Sequence, residues 1–210
     1  MEFNAHEVAM IVLGLSGAAG SGKTTVAGLF RKVCKAGVFD ADREVHKMYD
    51  NDAGIISAVE KYFPASIRDG KVSRKKLAKH FYAYSEEWKD FQRIVHKKLL
   101  WKQKRSIQDA MKAGVRYFVL DIPLLLEGGF GEACDVVVHV HVNKRTQWQR
   151  LVKRGLTEEN IRFILSLQLD GNKRHNLADF TLNTGYRASE ISMGILDILR
   201  SLPSRGMWVL

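Results

Sequence analysis

Apolar residues in this chain fall into two kinds of run, and their alternation predicts an α/β fold. Val8-Ala9-Met10-Ile11-Val12-Leu13-Gly14-Leu15 is short and almost continuously apolar, as a strand buried on both faces should be. Similar runs recur at Val38-Phe39-Asp40, Val115–Asp121, Asp135–Val142 and Phe180-Thr181-Leu182. Between them lie helical segments. One opens at Thr24–Arg31 and is expected to end at a glycine stop in Lys35-Ala36-Gly37. Another runs from about Asn143 to Arg154 and ends at Gly155; Thr157 then caps a helix through about Leu169, and a last helix covers about Ala188–Leu202. Buried strands alternating with helices imply a parallel sheet covered on both faces.

One block breaks the alternation. Arg43–Phe63 reads as helix in two pieces, divided near Asn51-Asp52, and Pro64–Gly70 reads as a loop. Ser73 suits an N-cap for Arg74–Tyr82. Ser85, followed by Glu86 and Glu87, starts a long helix reaching about Ala113, with Gly114 as the stop. Trp88, Phe91, Val95, Leu99 and the Leu100/Trp101 pair recur along it at helical spacing, a stripe expected to pack in a core rather than stack on bases. The Arg43–Gly114 block therefore reads as an insert that builds the site of a second substrate. No internal repeat or low-complexity linker is visible.

Composition narrows the class only modestly. The 210 residues, 46% hydrophobic and 27% charged, suit one globular domain, with or without inserts. Cys34 and Cys134 form no C-x-x-C pair and read as small buried hydrophobes in a reduced compartment. No secretory signal is visible, and the Val8–Leu15 run is too short to span a membrane, so the expectation is a cytoplasmic protein without a membrane partner. The formal charge of +10 fits a nucleic-acid face, steering of polyanionic small molecules, or a solvated lysine surface. The basic stretches Arg68–Lys79, Lys97–Arg105 and Lys144–Arg154 lack the interleaved aromatics and glycines of an RNA reader, which favours the latter two readings.

The chemistry is carried by Gly17-Ala18-Ala19-Gly20-Ser21-Gly22-Lys23-Thr24, which fits G-x-x-x-x-G-K-[ST] between an expected strand and an expected helix. Glycines let such a loop curl until successive N–H groups face phosphate oxygens, aided by the positive end of the helix behind it. Lys23 would reach the β- and γ-phosphates, and the Thr24 hydroxyl would sit on Mg²⁺. Asp121 ends an apolar strand, where a carboxylate commonly holds that ion. Asp40 and Asp42 follow the second strand, at the sheet edge where α/β proteins bind ligands, and a carboxylate there can orient an acceptor hydroxyl and take its proton. Gln147-x-x-Arg150-x-x-x-Arg154 puts two arginines on one helical face, as an arginine-bearing lid over phosphates would require.

Five stretches together resemble the dephospho-coenzyme A kinase family. They are Gly14–Ala27, Val38-Phe39-Asp40-Ala41-Asp42 with His46, Ile94-Val95-His96, Asp121-Ile122-Pro123-Leu124-Leu125-Leu126-Glu127, and Ala178-Asp179-Phe180. The resemblance implies a P-loop kinase: a parallel sheet flanked by helices, a helical substrate-binding insert and a lid. It implies one kinase unit with a nucleotide-binding core of about 8–42, 115–145 and 171–205, a CoA-binding insert of about 43–114, and a lid of about 146–170. It implies transfer of the ATP γ-phosphoryl group, with Mg²⁺, to the ribose 3′-hydroxyl of dephospho-CoA, the final step of coenzyme A biosynthesis. Asp42 would be the base, with Lys23 and Arg154 assisting. Gly17, Ala18, Ala19, Gly20, Ser21, Gly22, Lys23, Thr24 and Thr25 would bind ATP; Asp42, His46 and His96 would bind the acceptor; Thr24 and Asp121 would serve the metal. Asn183-Thr184-Gly185 would lie near the adenine. The partners are then ATP and dephospho-CoA rather than nucleic acid, for a monomer or small homo-oligomer. The chain departs from the family pattern at Lys97, where proline is usual, at Ala18-Ala19, which replace a glycine pair, and in a lid stretch Lys153–Thr157 one residue short.

Overall fold

The computed structural model describes residues 10–202. Val8 and Ala9 of the first expected strand, and the outer limits of the expected core at 8 and 205, lie outside them. Five strands, β1 (Ile11–Ser16), β2 (Gly37–Asp40), β5 (Tyr117–Asp121), β6 (Val136–His141) and β7 (Phe180–Asn183), form a parallel sheet in the order β2-β5-β1-β6-β7. Strand β1 is central, and all its residues after Ile11 are buried. Its register sets Leu15 beside Asp121 of β5 and Ser16 beside His139 of β6.

One sheet face packs on α1 (Lys23–Cys34) and α9 (Ala188–Ser201). Leu13, Leu15, Val138 and Val140 meet Val26, Phe30, Ile195 and Ile198 in one buried cluster. Each such side chain contributes about 1.5–3 kcal/mol by leaving water, against about 0–1 kcal/mol for an exposed ion pair. Pairs such as Lys47–Glu44, Lys89–Glu86 and Arg162–Glu158 are of that surface kind, so the apolar cluster holds the fold. Two aspartates extend the ladders where the strands begin. The Val12 N–H donates to Asp135 Oδ2 and the Val137 N–H to Asp179 Oδ2, each at 2.7 Å, while the Asp135 and Asp179 N–H groups return bonds to the Val12 and Val137 carbonyls. This gives Asp179, one of the residues carrying the family resemblance, a structural task.

By its contacts the chain forms two units, one of Asp40–Arg105 and the other of the described residues up to Phe39 and from Ser106 on. The Asp40–Arg105 unit holds α2 (Ala41–Asn51), α3 (Ala53–Tyr62), a short hairpin of β3 (Ile67–Arg68) and β4 (Lys71–Val72), α4 (Arg74–Ala83) and most of α5 (Glu86–Lys112). Asp52 separates α2 from α3, accepting the Ile55 N–H at 3.0 Å, as its cap chemistry predicts. Phe63, Trp88 and Phe91 fill the interior, with Phe63 edge-on to Phe91 at 5.6 Å. The sheet unit is completed by α6 (Lys144–Lys153), α7 (Glu158–Ser166) and α8 (Gly171–Asn176). No helix among the described residues is long and apolar enough to cross a membrane.

Five local expectations need correction. Helix α1 ends at Lys35, which itself takes the left-handed conformation (φ 55°); Gly37 instead opens β2 close beneath the Phe118 ring. The Pro64–Gly70 loop contains β3 and a tight Asp69-Gly70 turn, both residues at positive φ, which closes the hairpin. The helix begun at Thr157 stops at Ser166, and α8 follows it. Trp101 leaves the apolar stripe: it is 58% exposed, with the Arg105 guanidinium over its ring. Cys34 and Cys134 are half-buried rather than buried. Burial pushes both thiols up, Cys134 to about 12 with help from Asp135, which leaves little reactive thiolate.

Candidate active site

A loop whose N–H groups converge on phosphate must turn its carbonyls outward, and each of those needs a donor. Here every carbonyl from Gly17 to Gly22 has one. Lys23 Nζ donates to Gly17 O at 2.6 Å and to Ala18 O at 3.4 Å, and the Ser21 N–H also reaches Ala18 O. Gln147 Nε2 takes Ala19 O at 2.8 Å. Arg150 Nη1 lies 3.3 Å from both Gly20 O and Ser21 O, the Thr184 hydroxyl donates to Ser21 O, and the Val26 N–H takes Gly22 O. The amide side of Ala19 is fixed as well, its N–H donating to Gln168 Oε1 at 3.0 Å.

The glycines make this path possible. Gly20 and Gly22 sit at φ 78° and 99°, where a side chain would be strained, and Gly22 caps α1. At Gly17 an added Cβ would fall 2.3 Å from Val140 O, so the loop leaves β1 pressed against β6. Ala18 and Ala19, which replace a glycine pair, have negative φ and cost nothing there.

Arg150 is the hub of the clamp. Besides the loop carbonyls it donates to Thr184 Oγ1 at 2.9 Å and Thr184 O at 2.8 Å, tying α6 and the turn after β7 to the P-loop. This corrects the expectation that Arg150 and Arg154 share a lid face: the Arg150 guanidinium is spent on fixed acceptors. Arg154, the residue after α6, is exposed. Thr184 likewise turns its hydroxyl to the loop, while Asn183 Oδ1 accepts the Gly185 N–H at 2.8 Å and shapes the turn.

Thr24 and Thr25 lie exposed in the first turn of α1, and Asp121 is buried at the end of β5, paired in register with Leu15 just before the loop. A hydroxyl and a carboxylate are hard oxygen donors that suit Mg²⁺, which usually takes one or two carboxylates plus substrate phosphates. Among the described residues no three His, Cys, Asp or Glu side chains form a metal cage. The residues expected to serve the acceptor belong to the other unit. Asp42 and His46 are four apart on α2 and both exposed, and His96 is half-buried on α5. Asp40 is an N-cap, accepting the Arg43 N–H at 2.9 Å.

Sequence reasoning missed Gln168, the clamp roles of Gln147 and Thr184, and the buried polar residues His139 and Arg174 beside the loop. His139 on β6 is buried, and burial, reinforced by Arg174, His141, His175 and Lys23, pulls its pKa down to about 4. Only the Gln-x-x-Arg and Asn-Thr-Gly stretches signalled any of this, and neither pattern says which atoms would face the loop.

The family model for dephospho-CoA kinase matches residues 11–189. A dephospho-CoA kinase of Anaplasma marginale (strain St. Maries) is 51% identical over 193 residues, covering 92% of this chain and 86% of that protein. Among solved structures, TT1252 from Thermus thermophilus has the same fold, with a TM-score of 0.76 at 22% identity, covering 93% of this chain and 99% of that one. Dephospho-CoA kinase from Campylobacter jejuni follows with a TM-score of 0.66 at 20% identity, covering 91% and 96%.

Two outcomes are expected from the clamp and its surroundings. Arg150→Ala should cost about 2–3 kcal/mol in urea unfolding, because charged hydrogen bonds to half-buried carbonyls are lost, and should weaken ATP binding in calorimetry. Unchanged values for both would mean the clamp is idle. For His139, the unfolded chain binds a proton near pH 6.5 and the folded chain only near 4. Stability is therefore complete above pH 6.5 and falls towards pH 4, by up to about 1.4 kcal/mol per unit. His139→Leu should flatten the unfolding free energy in that window; an identical pH slope would contradict it. The match along residues 11–189 and the intact P-loop establish that this chain belongs to the dephospho-CoA kinase family.

Proposed function

We propose that this protein transfers the γ-phosphoryl group of ATP to the ribose 3′-hydroxyl of dephospho-CoA, completing coenzyme A. The observation that carries the reading is the family match over residues 11–189, which takes in the whole P-loop. In this mechanism the amides at the opening of α1 receive the β- and γ-phosphates. Lys23 exchanges its bonds to Gly17 O and Ala18 O for phosphate oxygens. Thr24 and Asp121 would hold Mg²⁺, which would supply neutralisation of phosphate charge. Asp42 orients the acceptor hydroxyl and takes its proton, with His46 and His96 on the acceptor. A loose transition state asks little of a base, so positioning is the larger part of this task.

Arg154 supplies a cation from the lid region of about 146–170, and closure there keeps water from the phosphoryl group. The Asp40–Arg105 unit, with the rest of α5, carries the acceptor. The +10 charge is then an asset for collecting two polyanionic substrates and needs no nucleic acid. The setting proposed is the cytoplasm, with a monomer or small homo-oligomer acting away from membranes.

The test is an ADP-release assay offering dephospho-CoA, nucleosides and nucleoside monophosphates separately. Turnover confined to dephospho-CoA is expected, and preference for a nucleoside would overturn the acceptor assignment. Two variants separate the roles. Lys23→Ala should lower kcat about 10²–10³-fold through loss of transition-state charge stabilisation. Asp42→Asn should lower kcat about 10²–10⁴-fold while leaving ATP affinity within about twofold. A near-normal kcat in either variant removes that residue from the reaction centre.

A further inference from the structure

A cavity of about 460 Å³ borders the P-loop, within the size range of ligand pockets. It is lined by Ala18 and Ser21 of the loop, His139–Val142 of β6, Lys144 and Gln147 of α6, the segment between α7 and α8, and Arg174 of α8. Three of its polar side chains are almost wholly withdrawn from solvent: Ser21 is 2% exposed, His139 6% and Arg174 7%. Each has a buried atom without a hydrogen-bond partner among the described residues, namely Ser21 Oγ, His139 Nδ1, and Arg174 Nε and Nη1.

Arg174 is the costliest of these. Its ion-pair partner is Glu127, at 3.7 Å from Nη1, which neutralises charge without making a hydrogen bond. Glu127 Oε1 is meanwhile engaged by the Leu169 N–H at 2.8 Å. A buried donor left unpaired is costly, the more so when charged, so a guanidinium held this way invites an acceptor. The surrounding field is positive. Lys144 and His141 line the cavity, and His175 and Lys23 act on His139 from its margin. The one acid on the wall, Asp170, is exposed and caps α8 by accepting the Asn172 N–H at 2.8 Å.

We propose that this cavity is a second phosphoryl-binding subsite, in which Arg174 is the principal cation and Ser21 Oγ and His139 Nδ1 complete the hydrogen bonding. It shares Ala18 and Ser21 with the P-loop and takes its other walls from β6, α6, α8 and the segment between α7 and α8. Its ligand is a phosphate or diphosphate group, carried by ATP, by the acceptor, or free in solution. As a contributor to the kinase reaction it rests on the reading given under Proposed function; as an anion site it does not.

The experiment pairs calorimetry of inorganic pyrophosphate with steady-state kinetics, on Arg174→Gln and Glu127→Gln. Arg174→Gln should weaken pyrophosphate binding about tenfold or more, as expected for a lost charge-assisted contact. The same variant should raise KM for whichever substrate places its phosphates there. A rise for dephospho-CoA alone names the acceptor, a rise for ATP alone names the donor, and weaker pyrophosphate binding with both KM values unchanged names a free anion. Glu127→Gln should keep pyrophosphate binding within about twofold, because it leaves the guanidinium in place. If the two variants are equally impaired, Arg174 serves only to pair Glu127, and the proposal falls. It falls also if Arg174→Gln binds pyrophosphate and both substrates like the unaltered protein. Should Arg174→Gln not fold, Arg174→Lys keeps the charge but loses the planar fork and should weaken binding about two- to tenfold, with unaltered binding as the overturning result. Pyrophosphate binding needs no turnover, so failure of the kinase reading alone would leave this readout intact.

Discussion

The outward carbonyls of the P-loop are the constraint on which the rest of this structure depends. To aim its amides at one point, the loop must send six consecutive carbonyls the other way, and an unpaired one would cost about 1–3 kcal/mol. Lys23, Gln147, Arg150 and Thr184 close most of that account with side chains, from three separate parts of the chain. The functional loop is thus also the knot that binds α1, α6 and the turn after β7 at one edge of the sheet. Because Arg150 reaches both loop and turn, a change in either is felt by the other.

The same bonds divide the loop's amides by function. Ala19 gives its N–H to Gln168, and Ser21 gives its own to Ala18. A phosphate bound in the loop would therefore meet the amides where α1 opens, which is also where the helix dipole is most positive. Gln147 and Gln168 grip the same peptide neighbourhood in opposite senses, one donating to Ala19 O and the other accepting from Ala19 N. An amide side chain suits both tasks, since it carries a donor and an acceptor and adds no charge beside the phosphates.

Elements with a strong period were legible in the sequence. The five sheet strands, the α2–α3 break at Asp52, the helix start at Asn143 and the cap at Thr157 were all readable, because their causes lie within a few residues. What escaped depends on distant partners. Nothing around Lys35 announces a left-handed lysine, and Gly37 is required by Phe118, some eighty residues on in the chain. Helix α8 is too short to show a period. Asp179 reads as part of a family pattern, yet its task is to complete the Val137 ladder. Gln168 and Arg174 sit in a stretch without periodicity, and only the fold shows one bound to the P-loop and the other buried beside it.

Arg150 and Arg154 show why spacing alone could not assign the basic residues. Four residues apart, they share a helical face in an ideal helix. Helix α6, however, lies against the loop for only part of its length and ends at Lys153, so one arginine meets four acceptor contacts and the next follows the helix into solvent. Burial decides between them, and it does so again at Arg174, which is more buried than either and has fewer bonds than Arg150. A guanidinium fixed by carbonyls cannot follow a substrate, and one in solvent gains little until closure desolvates it. A buried one with donors unspent keeps those donors for whatever anion arrives. The chain's basic residues thus differ less in chemistry than in how much of their hydrogen bonding the fold has already used.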